Sequence, residues 1–550
     1  MKVYSHVCRK TAMPRVAIHE RTGHRTYYRT DEDETKRMTT DALSTPRNRT
    51  ALSLLFIGAY LLLAFAWWDV ALNNFSDPTY LASSNALHGS MFLNDITSMP
   101  MYALWFRVLA FFTQDTVHRQ ILNWVLLVAL AGTLPALFRV RLSWLYAGVL
   151  VAVPLFEIVP YVSLFAAVFF VAGAVVVIRR QLLLTQASAV ACAAAFVVAY
   201  SRPEYQNGVF LAALATVLCA VAERKTKSPR ALLYAVVPAL LLACAMAYVV
   251  KHSDAGRSGV AFAQHFTLDS RGHASQSESA EYNFADNFDR AYAMFGIDPL
   301  ANGGKHSIGD FVRANPRLFV RRVLANLLSP VTLLFSAVML VTALLLWRRG
   351  RQPAMRAASL YLLLIAVPTI VSMLLVFPDR HYMSIVFPVI LLAGLQLMGP
   401  KLEARLSSSW MVPAVLFALM CVVCLRGVVF KRGPYTAFRS GLRSVGCLRA
   451  ADAQLAGAPV TALDMDSIQD VVKDVYIDPR ITLVRPQGLA GQLGLESWIT
   501  QQRPGWVLLT PVGARAYQTQ PAALAAFLAS QGYASHPCPA STRLTVYAHP

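Results

Sequence analysis

Apolar residues run along the chain in blocks of about 18 or more, each long enough to cross roughly 30 Å of hydrocarbon as a helix. The blocks 51–68, 119–138, 143–160, 161–178, 182–200, 206–222, 231–250, 324–346, 356–377, 382–399 and 409–430 read as about eleven transmembrane helices. The stretch "MYALWFRVLAFF" (101–112) is too short to cross and reads as an amphipathic helix lying in the interface. Segment 251–323 is polar: "SRGHASQSESAEYN" is expected to be irregular and "IGDFVRANPRLFVRRVLANLL" to be helical into the next block. Beyond residue 430 the pattern changes. Short runs rich in β-formers, "PVTALDM", "RITLVRP", "GWVLLTP" and "TRLTVYAH", alternate with helical patterns "SIQDVVKDVY", "LAGQLGLESWITQQ" and "PAALAAFLASQGY". That alternation predicts a small α/β domain over 431–550. The expected fold is a polytopic α-helical membrane protein, residues 51–430, followed by this C-terminal domain.

Charge changes the picture by giving the blocks a direction. The 550 residues are 56% hydrophobic and 15% charged, with a net charge of +20. Much of the excess sits in short loops: "RVR" (139–141), "RRQ" (179–181), "ERKTKSPR" (223–230), "WRRGRQPAMR" (347–356) and "KLEAR" (401–405). Lys and Arg concentrate on the cytoplasmic side of membrane proteins, so these loops and the N-terminus are assigned to the cytoplasm. The opposite face then receives 69–118, 201–207, 251–323, 377–382 and everything after about residue 431. Such sorting argues against a nucleic-acid partner. Residues 1–50 are polar and Arg-rich, carry "DEDE" at 31–34 and lack the apolar core of a cleavable signal. They read as a disordered cytoplasmic tail, or as sequence upstream of a start at Met38.

Cys192, Cys219, Cys244, Cys421 and Cys424 lie inside apolar blocks and read as small packing residues, the CxxC at 421–424 having no nearby partner ligands. Cys447 and Cys538 bracket the tail on the face where disulfides persist, and are expected to be joined.

That same outer face collects Asp69, Asp77, Asp95, Glu157, Arg202, Glu204, Asp379, Arg380 and His381. Asp77 stands before Pro78, as a helix N-cap does. A fixed aspartate at a low-dielectric boundary can also accept a proton from a hydroxyl. Asp95 stands as a second acid or a metal ligand, or as another cap. Arg202 with Glu204 in "YSRPEY", and Arg380 with His381 in "FPDRHY", suit a phosphate group or interfacial snorkelling. The chain has no believable Gly-rich phosphate loop, HExxH or nucleophile elbow.

In layout, residues 50–430 resemble the GT-C superfamily of membrane glycosyltransferases. They look most like the bacterial relatives of protein O-mannosyltransferases and aminoarabinose transferases. The resemblance rests on "DPTYLASSNALHG" and "DITSMPMYALW", where Asp77, Tyr80, Gly89, Pro100 and Tyr102 fill the family's places, and on "SRPEY" and "DRHYMSIVFP". It implies a polyprenyl-phosphate sugar as donor and a lipid, glycan or protein as acceptor. Asp77 would be the general base of an inverting transfer, with Arg202 or Arg380 stabilising the leaving phosphate. Tyr80, Tyr102, Glu204, His381 and Tyr382 would complete the substrate site. Pro78 stands where many members carry a second acid, which argues against a divalent metal cofactor. The implied location is a bacterial inner membrane with the C-terminal domain periplasmic. The rival expectations are a transporter or lipid flippase, with ionisable residues at mid-membrane depth, and a non-catalytic scaffold for envelope assembly.

Overall fold

Prolines mark where many of the helices begin. Pro46, Pro100, Pro229, Pro316, Pro330, Pro353 and Pro521 each open one, at the position where a missing N–H costs nothing and a fixed φ helps. The computed structural model describes residues 46–65, 100–113, 116–152, 162–252, 259, 262–263, 266, 291–298, 306–349, 353–376, 378, 380–398, 404–406, 409–430, 460–464, 481–484, 492–509, 514, 519–538 and 544–549. The helices that follow one another are α1 (Pro46–Phe65), α2 (Pro100–Leu109), α3 (Thr116–Leu137), α4 (Ser143–Ala152), α5 (Val162–Arg180), α6 (Leu184–Ala199) and α7 (Gln206–Glu223). After them come α8 (Pro229–His252), α9 (Ile308–Ala314), α10 (Pro316–Leu327), α11 (Pro330–Arg348), α12 (Pro353–Leu375), α13 (Arg380–Leu397) and α14 (Met411–Phe430).

Each of the eleven apolar blocks therefore carries a helix. Among the described residues, six helices are long and apolar enough to cross a membrane: His118–Leu137, Val162–Arg180, Pro203–Glu223, Pro229–His252, Pro330–Arg348 and Pro353–Leu375. The remaining blocks hold shorter apolar helices, such as Ser143–Ala152 and Leu184–Ala199. The chain is a polytopic α-helical membrane protein. Pro135, Pro238, Pro368 and Pro388 lie inside helices, which a membrane bundle tolerates because neighbours re-satisfy the freed carbonyls. The helix expected to run through 324–346 is broken, since α10 ends at Leu327 and α11 starts at Pro330. A proline ring there would clash with the carbonyl four residues back, that of Asn326.

Hydrogen bonds sort the helix ends into two groups. At one end, Met101 N donates to the Tyr200 carbonyl (3.3 Å) and Asn326 Nδ2 to the Leu374 carbonyl (2.8 Å). The Tyr205 and Thr369 hydroxyls also meet at that end. At the other, the Glu223 carboxylate accepts from Leu184 N and Thr185 N (each 3.3 Å) and from the Thr185 hydroxyl (2.7 Å), capping the start of α6. Gln396 Nε2 donates to the Arg141 carbonyl (3.4 Å), and the Arg349 guanidinium to that of Leu397. The second end holds the basic loops at 139–141, 223–230 and 348–349. Helices α6 and α7, and α11, α12 and α13, thus run in alternating directions between these two ends.

Helices α3, α5 and α12 form the buried middle, while most of α7, α8 and α11 faces outward with apolar side chains such as Leu218, Leu241 and Leu334. The tail holds a five-stranded sheet in the order β2-β1-β3-β5-β4, from β1 (Val460–Asp464), β2 (Ile481–Val484), β3 (Trp506–Leu509), β4 (Ala534–Pro537) and β5 (Thr545–Ala548). β1 is parallel to both β2 and β3, whereas β5 runs antiparallel to β3 and β4. Alternation along β3 divides the faces. Val507 and Leu509 pack with Leu495, Ile499, Leu524 and Leu528 of helices α15 (Gln492–Gln502) and α16 (Pro521–Ser530). Trp506 and Leu508 belong to the same apolar cluster as the membrane helices. The four expected strands are present, and β4 is an addition; the expected helix over "SIQDVVKDVY" lies outside the described residues. Segment 251–323, read as polar, also holds a small aromatic core of Phe262, Phe266, Tyr292, Phe295 and Phe311.

Candidate functional site

Two prolines shape the turn that carries the candidate cation. Pro203 pushes the residue before it out of the helical region. Arg202 accordingly takes φ −139° and ψ 96°, ending α6, and a 3₁₀ turn, Pro203–Tyr205, leads into α7. The turn is held by Ser201 N and Arg202 N, which donate to the Val198 carbonyl (2.8 and 2.7 Å), and by Tyr205 N donating to the Arg202 carbonyl (3.0 Å). From α12, Pro368 packs against the start of α7, where a Cβ added at Gly208 would come within 2.9 Å of its ring.

Inside this turn the Arg202 side chain is buried. Its Nη2 lies 3.0 Å from Glu204 Oε1, and its guanidinium carbon sits 5.1 Å from the ring centroid of Tyr382 at the start of α13. Carboxylate and aromatic face both favour a cation out of water. Glu204 keeps 21% of its side chain exposed against 6% for Arg202, while its Oε2 and the Arg202 nitrogens Nε and Nη2 are buried. Its Oε2 has no hydrogen-bond partner among the described residues, and neither does the buried Ser201 hydroxyl. The ensemble can bind and polarise an anionic or hydroxylic group, with the guanidinium as donor and Oε2 as acceptor.

Tyr102 stands next to this turn through the Met101–Tyr200 bond. Its hydroxyl accepts from Asn123 Nδ2 (2.9 Å), whose Oδ1 accepts from Trp105 Nε1 (2.6 Å). Its ring packs on Phe106 and Phe165, with centroids 4.9 and 5.1 Å away. Fully buried, Tyr102 docks the short helix α2 onto α3 and α5, and so holds the chain beside the arginine turn.

The structure thus brings Tyr102, Arg202, Glu204 and Tyr382 to one end of the bundle. Asp69, Asp77, Tyr80, Gly89, Asp95, Glu157, Asp379 and Cys447 lie outside the described residues. Arg380 and His381 open α13, with their side chains likewise outside the description. Cys538 is disulfide-bonded. Among the described residues no group of His, Cys, Asp and Glu could hold a metal ion.

Sequence reasoning missed further buried polar residues at this end. Arg119, Gln120 and Asn123 line the start of α3, and Arg322 and Asn326 line the inward face of α10. Arg119 Nε donates to the Thr113 carbonyl (3.4 Å), and the Arg322 guanidinium lies 5.7 Å from the Phe266 ring centroid. An arginine within a turn or two of an apolar span, at the end away from the basic loops, was the available signal. No family model, curated protein or solved structure matches the chain.

Proposed function

We propose that the protein is a membrane glycosyltransferase of GT-C-like layout, moving a sugar from a polyprenyl-phosphate donor to a lipid, glycan or protein acceptor. Supporting this reading most directly is the buried Arg202–Glu204–Tyr382 cluster, which lies at the bundle end opposite the basic loops. By the Lys/Arg bias that end is external, with eleven spans, a cytoplasmic N-terminus and the C-terminal sheet on the outer side of a bacterial inner membrane. In the reaction, the acceptor hydroxyl oxygen attacks the anomeric carbon while its proton passes to Asp77. The bond from that carbon to the phosphate oxygen breaks, and polyprenyl phosphate leaves with the electron pair. Arg202 stabilises the charge gathering on the phosphate, and Glu204 and Tyr382 hold the guanidinium in place. These steps balance without a redox partner or a nucleotide.

Against a transporter, the described ionisable side chains fall near the ends of the helices rather than at mid-depth, where a translocation path would need them. The test is complementation of a deletion strain by Arg202 variants, read by mass spectrometry of envelope glycans and lipids. Loss of one charge-stabilising donor costs about 10²–10³-fold in rate. Arg202→Gln at wild-type abundance should leave the envelope deficient, and Arg202→Lys should restore part of the product. Full restoration by Arg202→Gln would remove the cation from the mechanism.

A further inference from the structure

Helix α10 is inside out by the standard of a soluble surface helix. Arg322 and Asn326, 7% and 0% exposed, face the protein. Outward it turns Val320, Leu324 and Leu328, which are 53%, 49% and 66% exposed. A helix shows such a face only to hydrocarbon or to an apolar partner. The outward face continues past the Ser329–Pro330 break into exposed Val331 and Leu334 of α11, one of the helices able to span a membrane. Lipid therefore covers it.

The charge along this face is graded. Arg317, Arg321, Leu324 and Leu328 are spaced four, three and four residues apart, which puts them on one stripe of the helix. All four are exposed. The stripe is about 16 Å long at 1.5 Å per residue, enough to reach from the hydrocarbon edge through the headgroup layer. Its apolar end is followed along the chain by the spanning helix α11, and its cationic end is the far one. Among the described residues neither Arg317 nor Arg321 makes an ion pair; the nearby Asp310 is paired with Arg313 (3.4 Å). Arg317 also stands in the first turn of α10, where the helix dipole adds positive potential.

We propose that Arg317 and Arg321 bind the phosphates of anionic phospholipids in the adjoining leaflet, with Leu324 and Leu328 against the acyl chains. This rests on the chain being embedded in a membrane and is independent of the transferase reading. The surface separates bulk lipid from the buried Arg322 one residue further round the helix.

The full-length protein in detergent is titrated with phosphatidylglycerol, and separately with phosphatidylcholine of the same chains, and bound lipid is counted by native mass spectrometry. Wild type should prefer phosphatidylglycerol. A basic residue near an anionic surface contributes about 5-fold in affinity, so R317Q/R321Q should weaken phosphatidylglycerol about 30-fold and leave phosphatidylcholine unchanged. R317K/R321K, which keeps the charge, should bind as wild type. If the glutamine pair does not fold, R317Q and R321Q alone should each lose about 5-fold. Unchanged phosphatidylglycerol binding in the glutamine variants would overturn the proposal. So would a lysine pair as weak as the glutamine pair, or displacement of the lipid by an equal concentration of inorganic phosphate.

Discussion

The Glu204 carboxylate beside it and the Tyr382 ring both stabilise the buried Arg202 cation. Breaking a buried ion pair costs about 3–5 kcal/mol because the surviving charge is stranded. Since Glu204 retains 21% exposure, Glu204→Gln should fall at the lower end, about 3 kcal/mol. Removing both charges with Arg202→Met and Glu204→Gln should be milder than Glu204→Gln alone. Thermal unfolding in detergent checks the order, and a double variant less stable than the single would contradict the pairing. Asp310 gives a pH-dependent counterpart. The Ser307 N–H (2.8 Å) and hydroxyl (3.0 Å) donate to its carboxylate at the start of α9, and these bonds, the backbone one first, hold its pKa below the ordinary 3.8. A depressed carboxyl contributes stability above its unfolded pKa and loses it as pH falls through the folded one. Hydrogen-exchange protection of Ile308–Ala314, corrected for intrinsic rates, should therefore hold above about pH 4 and fade below it. In Asp310→Ala, which removes the N3 half of the capping box, it should be weaker and flat with pH. Arg202 and Glu204 could be found in the sequence because a charged pair flanking a proline interrupts apolar text. Arg322 left only its place beside an apolar span as a signal, and Asn326 less, because periodicity shows that a helix has two faces without saying which one meets lipid.

Helix boundaries were legible wherever a proline or a charge cluster supplied them. The exceptions are the breaks before α10 and α11, where Pro316 and Pro330 interrupt a stretch expected to run as a helix into the next block. Strand β4 escaped prediction because "ASHP" has little intrinsic strand character; pairing along β5, from Ala534 opposite Ala548 to Pro537 opposite Thr545, recruits it. Helix contacts depend on details that no pattern shows. A Cβ at Gly173 of α5 would come within 2.2 Å of the Tyr361 hydroxyl, which donates to the Phe170 carbonyl (2.8 Å). Small residues permit such approaches between membrane helices. Gly173→Ala should push Tyr361 aside and cost about 1–3 kcal/mol, while Tyr361→Phe on that background should recover part of the loss. Melting temperatures of the two variants decide it, and a Gly173→Ala protein as stable as wild type would contradict the packing.

Across the molecule, the alternation of basic loops and the two groups of interhelix hydrogen bonds divide the bundle in the same way. One end carries Arg141, Glu223 and Arg349, and the other carries Tyr102, Arg202, Asn326 and Tyr382. Lys/Arg counting could find this division because Lys and Arg concentrate in the short loops on one side of a membrane. The sheet's attachment was not legible, since it depends on which face of β3 turns toward the helices. The transferase reading now stands on the convergence of a buried cation, its carboxylate and an aromatic ring at the end assigned to the outside. What it still needs is the proton acceptor. The most direct measurement is mass spectrometry of envelope glycans and lipids from a deletion strain, complemented with wild type or with Asp77→Asn at equal abundance. Asparagine caps a helix about as well as aspartate but cannot take a proton, a loss of about 10²–10⁴-fold in rate. The predicted result is one sugar missing in the deletion, restored by wild type and still missing with Asp77→Asn. An envelope unchanged by the deletion, or full restoration by Asp77→Asn, would contradict it.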